Sequence, residues 1–229
     1  MSNSNVSKIG KEVIEALILT PIPAAAALSQ FDPTYAAIWA FTTTFLNQMT
    51  KDEREVFVEE LSKREVKEEL FGSVEFARAS KVTFEAAANT ASEEKIRMLA
   101  RLLRVGTNEE LISNFDVYKE FAKLVDDISP TEFSILLAIE KSTAKYPNTS
   151  DPAQQSVNRK KVWDEAKESI ENETNISSEA LQGLMNRIAR TGCVTSSLSA
   201  LASGYVGTSY SLSPLYFELK QYIAEGNPT

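Results

Sequence analysis

Apolar positions recur at helical spacing along most of the 229-residue chain. Val6, Ile9, Val13, Ala16 and Leu17 predict a short amphipathic helix over 5–19, which Thr20-Pro21-Ile22-Pro23 breaks because proline cannot continue a helix interior. From Ala16 to Thr50 the only charge is Asp32. This stretch holds Ala24–Leu28 and Tyr35–Met49, and it reads either as two buried helices or as a membrane-inserting hairpin. A spanning helix needs about 20 unbroken apolar residues. Pro21, Pro23, Asp32 and Pro33 cut the run into shorter pieces, which favours buried helices.

Residues 51–71 switch to a charged pattern with Val56, Val58, Leu61, Val66 and Leu70 as its apolar set, and predict a surface helix. Glu60 and Arg64 stand there at the supportive i,i+4 spacing. Residues 74–90, rich in Ala and Phe, suit tight helix packing. Ser92 is placed to cap a helix carrying Ile96, Leu99, Leu102 and Leu103, with Gly106 expected to end it. A further helix over 109–127 carries Leu111, Phe115, Tyr118, Phe121, Leu124 and Val125. It should stop at Asp126-Asp127, where the helix dipole disfavours negative charge.

Ser129-Pro130-Thr131-Glu132 is the clearest local signal: a serine cap, proline at the first helical position and a glutamate completing a capping box. A domain boundary therefore falls near Ile128, giving a helical region over 1–127 and a second module over 128–229. The second module reads as helix 130–144, a polar loop over 146–153, a charged helix 153–171 and a polar loop Asn172–Asn175. Helix 178–191 follows, with Leu181, Leu184, Met185 and Ile188 on one face and Gly192 closing it. Residues 195–211 then lack any charge, and Tyr205-Val206 and Tyr210-Ser211-Leu212 flanking Gly207-Thr208-Ser209 predict a short β-hairpin with its turn at the glycine. Ser213-Pro214 opens a last helix. The fold class is mainly all-α, with this hairpin as its β element.

The order helix, helix, helix, hairpin, helix resembles a winged-helix module, carried by "LMNRIARTGC" over Leu184–Cys193 and by the ending "YSLSPLYFELKQYI". The stretch from Val194 to Tyr210 is longer than that pattern expects. More broadly, "SEEKIRMLARLL", "ISPTEFSILLAIE" and the Y-x-L-x-P ending resemble uncharacterised bacterial and phage-encoded helical proteins, among them abortive-infection alpha-type proteins. That resemblance implies a setting in phage defence or regulation and brings no catalytic motif.

Composition narrows the chemistry. The chain has no histidine, which removes Ser-His-Asp and Cys-His catalysis and histidine-ligated zinc. A single cysteine, Cys193, excludes an intrachain disulfide and suits a reducing, cytoplasmic setting. Lys8, Lys11, Glu12 and Glu15 interrupt any signal-peptide core. Without secretion, the Asn-x-Ser/Thr matches at Asn148, Asn172 and Asn175 carry no weight. The carboxylate pairs, Glu59-Glu60 among them, diverge by about 100° along a helix and so read as solvated surface rather than as a magnesium site. No residue pattern nominates a cofactor, a metal or an enzymatic activity.

The net charge of −8 opposes nucleic acid at long range. If 178–191 were a recognition helix, Gln182, Asn186, Arg187 and Arg190 would form its base-reading face, since amides pair with adenine and arginine with guanine. Arg159-Lys160-Lys161 would supply phosphate contacts. The competing reading makes all seven residues a solvated surface on a module that contacts protein, either another chain or its own copy. This protein-contact reading, with either kind of partner, is the favoured expectation, with a DNA-binding regulator and a membrane-active effector using 16–50 as the alternatives.

Overall fold

The computed structural model describes residues 18, 33–63, 73–108, 111–147, 149–200 and 206–224. These form a mainly helical chain with one two-stranded antiparallel sheet, grouped in two compact units. One unit holds the residues up to Asp127 together with those from Gln221 onward, and the other holds Ile128–Lys220. The helix expected over 5–19, the Ala24–Leu28 segment and residues 64–71 of the expected 51–71 helix lie outside the described residues, Ile18 apart.

The first unit runs α1 (Pro33–Leu46), α2 (Lys51–Leu61), α3 (Val74–Ala88), α4 (Glu93–Asn108), a 3-10 turn (Leu111–Ser113) and α5 (Phe115–Asp127). Thr50 opens α2 with a capping box, its hydroxyl accepting from the Glu53 N–H while the Glu53 carboxylate accepts from the Thr50 N–H. Helix α4 is the hub, because α2, α3 and α5 all pack on it. From Lys95 to Thr107 every residue except Arg97 is buried, so the polar side of an amphipathic helix is covered as well as the apolar one. Phe84 of α3 meets Phe57 and Trp39, with ring centroids 4.5 and 6.3 Å apart.

Gly106 does not end α4 as expected. The helix runs on to Asn108, and a Cβ at Gly106 would stand 3.2 Å from Tyr118 Cε2. The glycine is there to let the Tyr118 ring approach, and the buried Tyr118 hydroxyl in turn bonds Thr83. Helix α5 does stop at Asp127, and the buried Lys95 donates to the Asp126 carbonyl exposed by that stop.

The second unit runs α6 (Pro130–Thr143), α7 (Pro152–Thr174), α8 (Ser178–Arg190), β1 (Val194–Ala200), β2 (Val206–Leu212) and α9 (Pro214–Ile223), whose last turn groups with the first unit. The capping box at Ser129 and Glu132 forms with both of its hydrogen bonds. Helix α7 overruns the loop expected at Asn172–Asn175 and ends at Thr174, where Asn175 takes a left-handed backbone at φ 54°, a conformation asparagine tolerates. The Ser177 hydroxyl accepts from the Ala180 N–H to open α8, and Gly192 (φ 80°) reverses the chain after it.

The hairpin exists, but its turn is not at Gly207–Ser209. Val194 pairs with Leu212 and Ala200 with Val206, so Gly207-Thr208-Ser209 lies inside β2. The strands are rich in serine, and Ser197 and Ser209 bond across them at 2.9 Å. Without alternation of apolar and polar residues the strand limits are invisible to periodicity. Helices α6 and α7 pack on β2 and α8 packs on β1, closing a core that includes Leu136, Ile139, Trp163, Met185, Ile188 and Tyr210.

Candidate functional site

Helix α8 buries Leu181, Met185 and Ile188 and turns Gln182, Asn186, Arg187 and Arg190 outward. Three of these four are committed to neighbours in their own unit. The Arg187 fork closes on Glu132, Nε to Oε1 at 2.6 Å and Nη2 to Oε2 at 2.6 Å. Gln182 donates its amide to the Tyr210 hydroxyl and to Asn186 Oδ1, and Tyr210 also reaches Asn186 Oδ1 at 3.5 Å. Tyr210 is itself held edge-on against Trp163, with centroids 4.8 Å apart. Only Arg190, in the last turn, is exposed with no partner among the described residues.

Glu132 therefore does two jobs. It completes the cap of α6 and binds α8 through a two-pronged ion pair, while being only 2% exposed. Burial pushes its carboxyl up, but the Arg187 guanidinium and the Ser129 N–H outweigh that and leave it below the usual carboxylate range. Arg187, read from the sequence as a base reader, serves as this clasp. A similar junction ties α6 to α9, where Glu140 takes the Tyr216 hydroxyl at 2.9 Å and Lys220 Nζ at 2.6 Å. Burial, and then Glu140, push the Tyr216 phenol up.

Arg159 and Lys161 are exposed on α7 and Lys160 is half-buried. All three lack ion pairs among the described residues, so the structure keeps them apart from the α8 set rather than joining both into one network. Cys193 is buried, and burial raises its thiol further than its hydrogen bond to Thr191 lowers it, so it is a poor nucleophile at neutral pH.

The most heavily connected carboxylate among the described residues is Glu60, which the sequence pairs at i,i+4 with Arg64, outside the described residues. Glu60, read as half of a solvated pair, is 1% exposed while its neighbour Glu59 faces solvent. Arg101 binds it at 2.9 Å (Nε) and 3.3 Å (Nη2), Lys63 at 2.8 Å, and Arg97 and Arg104 each at 3.6 Å. Arg101 also donates to the Ile223 carbonyl at 3.2 Å. Burial pushes the Glu60 carboxyl up, and the Arg101 and Lys63 contacts pull it below the usual range. The available clue was the row Arg97, Arg101, Arg104 on α4, three cations at helical spacing beside an apolar face.

Among the described residues no group of three or more cysteine, aspartate or glutamate side chains is arranged to hold a metal ion. No helix among them is long and apolar enough to cross a membrane. Helix α1, from the apolar stretch, buries Trp39, Thr42 and Leu46 and packs on α3, while Phe41 remains 67% exposed. No protein family, curated protein or solved structure matches this chain significantly.

Proposed function

We propose that the chain is a non-enzymatic helical protein that works through protein–protein contacts, with residues 128–220 serving as a winged-helix-like contact module. The order α6, α7, α8, hairpin, α9 supports the winged-helix likeness. The observation that carries the functional reading is the Arg187–Glu132 clasp. A recognition helix needs its arginines free to reach guanine edges, whereas here the central one is spent on its own fold and the two amides are tied to Tyr210. The module also carries nine Lys and Arg against ten Asp and Glu, a net of −1, too little for the phosphate attraction that dominates DNA affinity. The absence of histidine and of any catalytic motif supports a non-enzymatic role. The likeness to abortive-infection alpha-type proteins makes phage defence or regulation the setting to examine first.

Fluorescence anisotropy of the full-length protein with duplex DNA tests this reading. No binding is expected, even at low salt. Binding that weakens steeply with salt and is lost in Arg190→Ala would overturn it in favour of a DNA-binding regulator.

A further inference from the structure

We infer that α7 is a self-association element, pairing antiparallel with α7 of a second copy of this chain. The inference deepens the protein-contact reading and rests on it, by naming the partner.

The observation is a division of charge along one helix. The first ten residues of α7, Pro152–Lys161, hold Arg159, Lys160 and Lys161 and no acid, a net of +3. The remaining thirteen hold five acids and one lysine, a net of −4. None of residues 153–161 is buried, so the basic half stands out from the core that Trp163, Ala166 and Ile170 build further along. On the face turned away from that core, Val157, Lys161, Asp164 and Glu168 follow at spacings of four, three and four and are all exposed, Val157 to 47%. Lys161, Asp164 and Glu168 have no ion pair within the chain among the described residues.

This pattern selects the partner. A nucleic-acid backbone would be drawn to one half of the helix and repelled by the other. A second α7 lying antiparallel offers acid to the basic half and base to the acidic half at once. With the two-fold axis between Lys161 and Asp164, each Lys161 faces the partner's Asp164 and each Val157 covers the stem of the partner's Glu168. A 23-residue helix is about 35 Å long, so the contact is small and mostly polar. The dimer should therefore be weak, and its strength should depend on salt.

Sedimentation velocity on the full-length protein tests this. A dimer is expected at low salt, with association weakened roughly tenfold or more as ionic strength rises through the physiological range and above. The double variants Lys160→Glu/Lys161→Glu and Asp164→Lys/Glu168→Lys should each be monomeric, because each gives the charged positions of the exposed face, 161, 164 and 168, a single sign. Mixed in equal amounts they should dimerise again, since one is then acidic and the other basic. Circular dichroism should show both variants folded, as the altered side chains lie outside the core. A wild-type monomer at low salt, a salt-independent dimer, or single-sign variants that still dimerise would each overturn the proposal. Failure here leaves the anisotropy result untouched, and DNA binding through α8 would sink the contact-module reading without making α7 monomeric.

Discussion

Among the described residues each unit buries one glutamate almost completely, Glu60 at 1% and Glu132 at 2% exposure, and the two are kept ionised by different means. Glu132 sits at a helix N-terminus, where backbone N–H groups and the dipole already favour a negative charge, and it needs one arginine that is itself half in water. Glu60 lies in the last turn of α2, where the dipole opposes it, and it is held by cations gathered from α4 and by Lys63. The contrast teaches that a buried carboxylate is no single kind of interaction. One is seated in the cap of its own helix and adds a single arginine from α8, whereas the other has no cap to sit in and draws most of its cations from a second helix.

Breaking the second kind should cost more. Glu60→Ala takes a buried carboxylate away from the buried Arg101 and Arg104, and should destabilise the protein by about 3–5 kcal/mol in denaturant unfolding. Glu132→Ala loses a cap and frees an arginine that can turn to solvent, so about 1–2 kcal/mol is expected. An equal loss in the two variants would erase the distinction between them.

Acid sharpens the comparison. Both carboxyls have folded values below the roughly 4.3 of an unfolded glutamate, so the stability they contribute is complete above that value. It is lost as pH falls through the lower folded values. Denaturant midpoints should therefore fall below about pH 4, and Glu60→Gln should show a shallower fall over the same window than the wild type.

The two units also differ at their helical glycines. Gly106→Ala pushes a methyl to 3.2 Å from a Tyr118 ring that its bond to Thr83 keeps from yielding, so a loss of about 1 kcal/mol is expected despite better helix propensity. Gly183 has open space around it on exposed α8, and Gly183→Ala should raise stability by about 0.5–1 kcal/mol. Thermal melts of the pair should move in opposite directions.

What was legible in the sequence follows the same local–distant divide. The Ser129–Glu132 capping box depends on residues three apart, so spacing alone sets it, and Thr50–Glu53 carried the same signature unread. The clasp between Glu132 and Arg187 spans 55 positions, and that between Glu60 and Arg101 spans 41, so no periodicity announces either. Gly106 misled because a glycine late in a helical run signals an end equally well as a close approach, and only Tyr118 decides between them. Helical spacing is enough to put Gln182, Asn186, Arg187 and Arg190 outside the apolar face of α8, but whether they are free depends on Tyr210 and Glu132, which the sequence keeps distant.

The burial of α4 on nearly every face has a consequence in time as well as space. Its amides cannot meet solvent by the fraying that opens a surface helix, because α2, α3 and α5 must all depart first. Deuterium should therefore enter α4 only when its whole unit unfolds, making its slowest-exchanging amides a direct gauge of that unit's global stability. The first turns of α7, which no core residue anchors, should exchange long before.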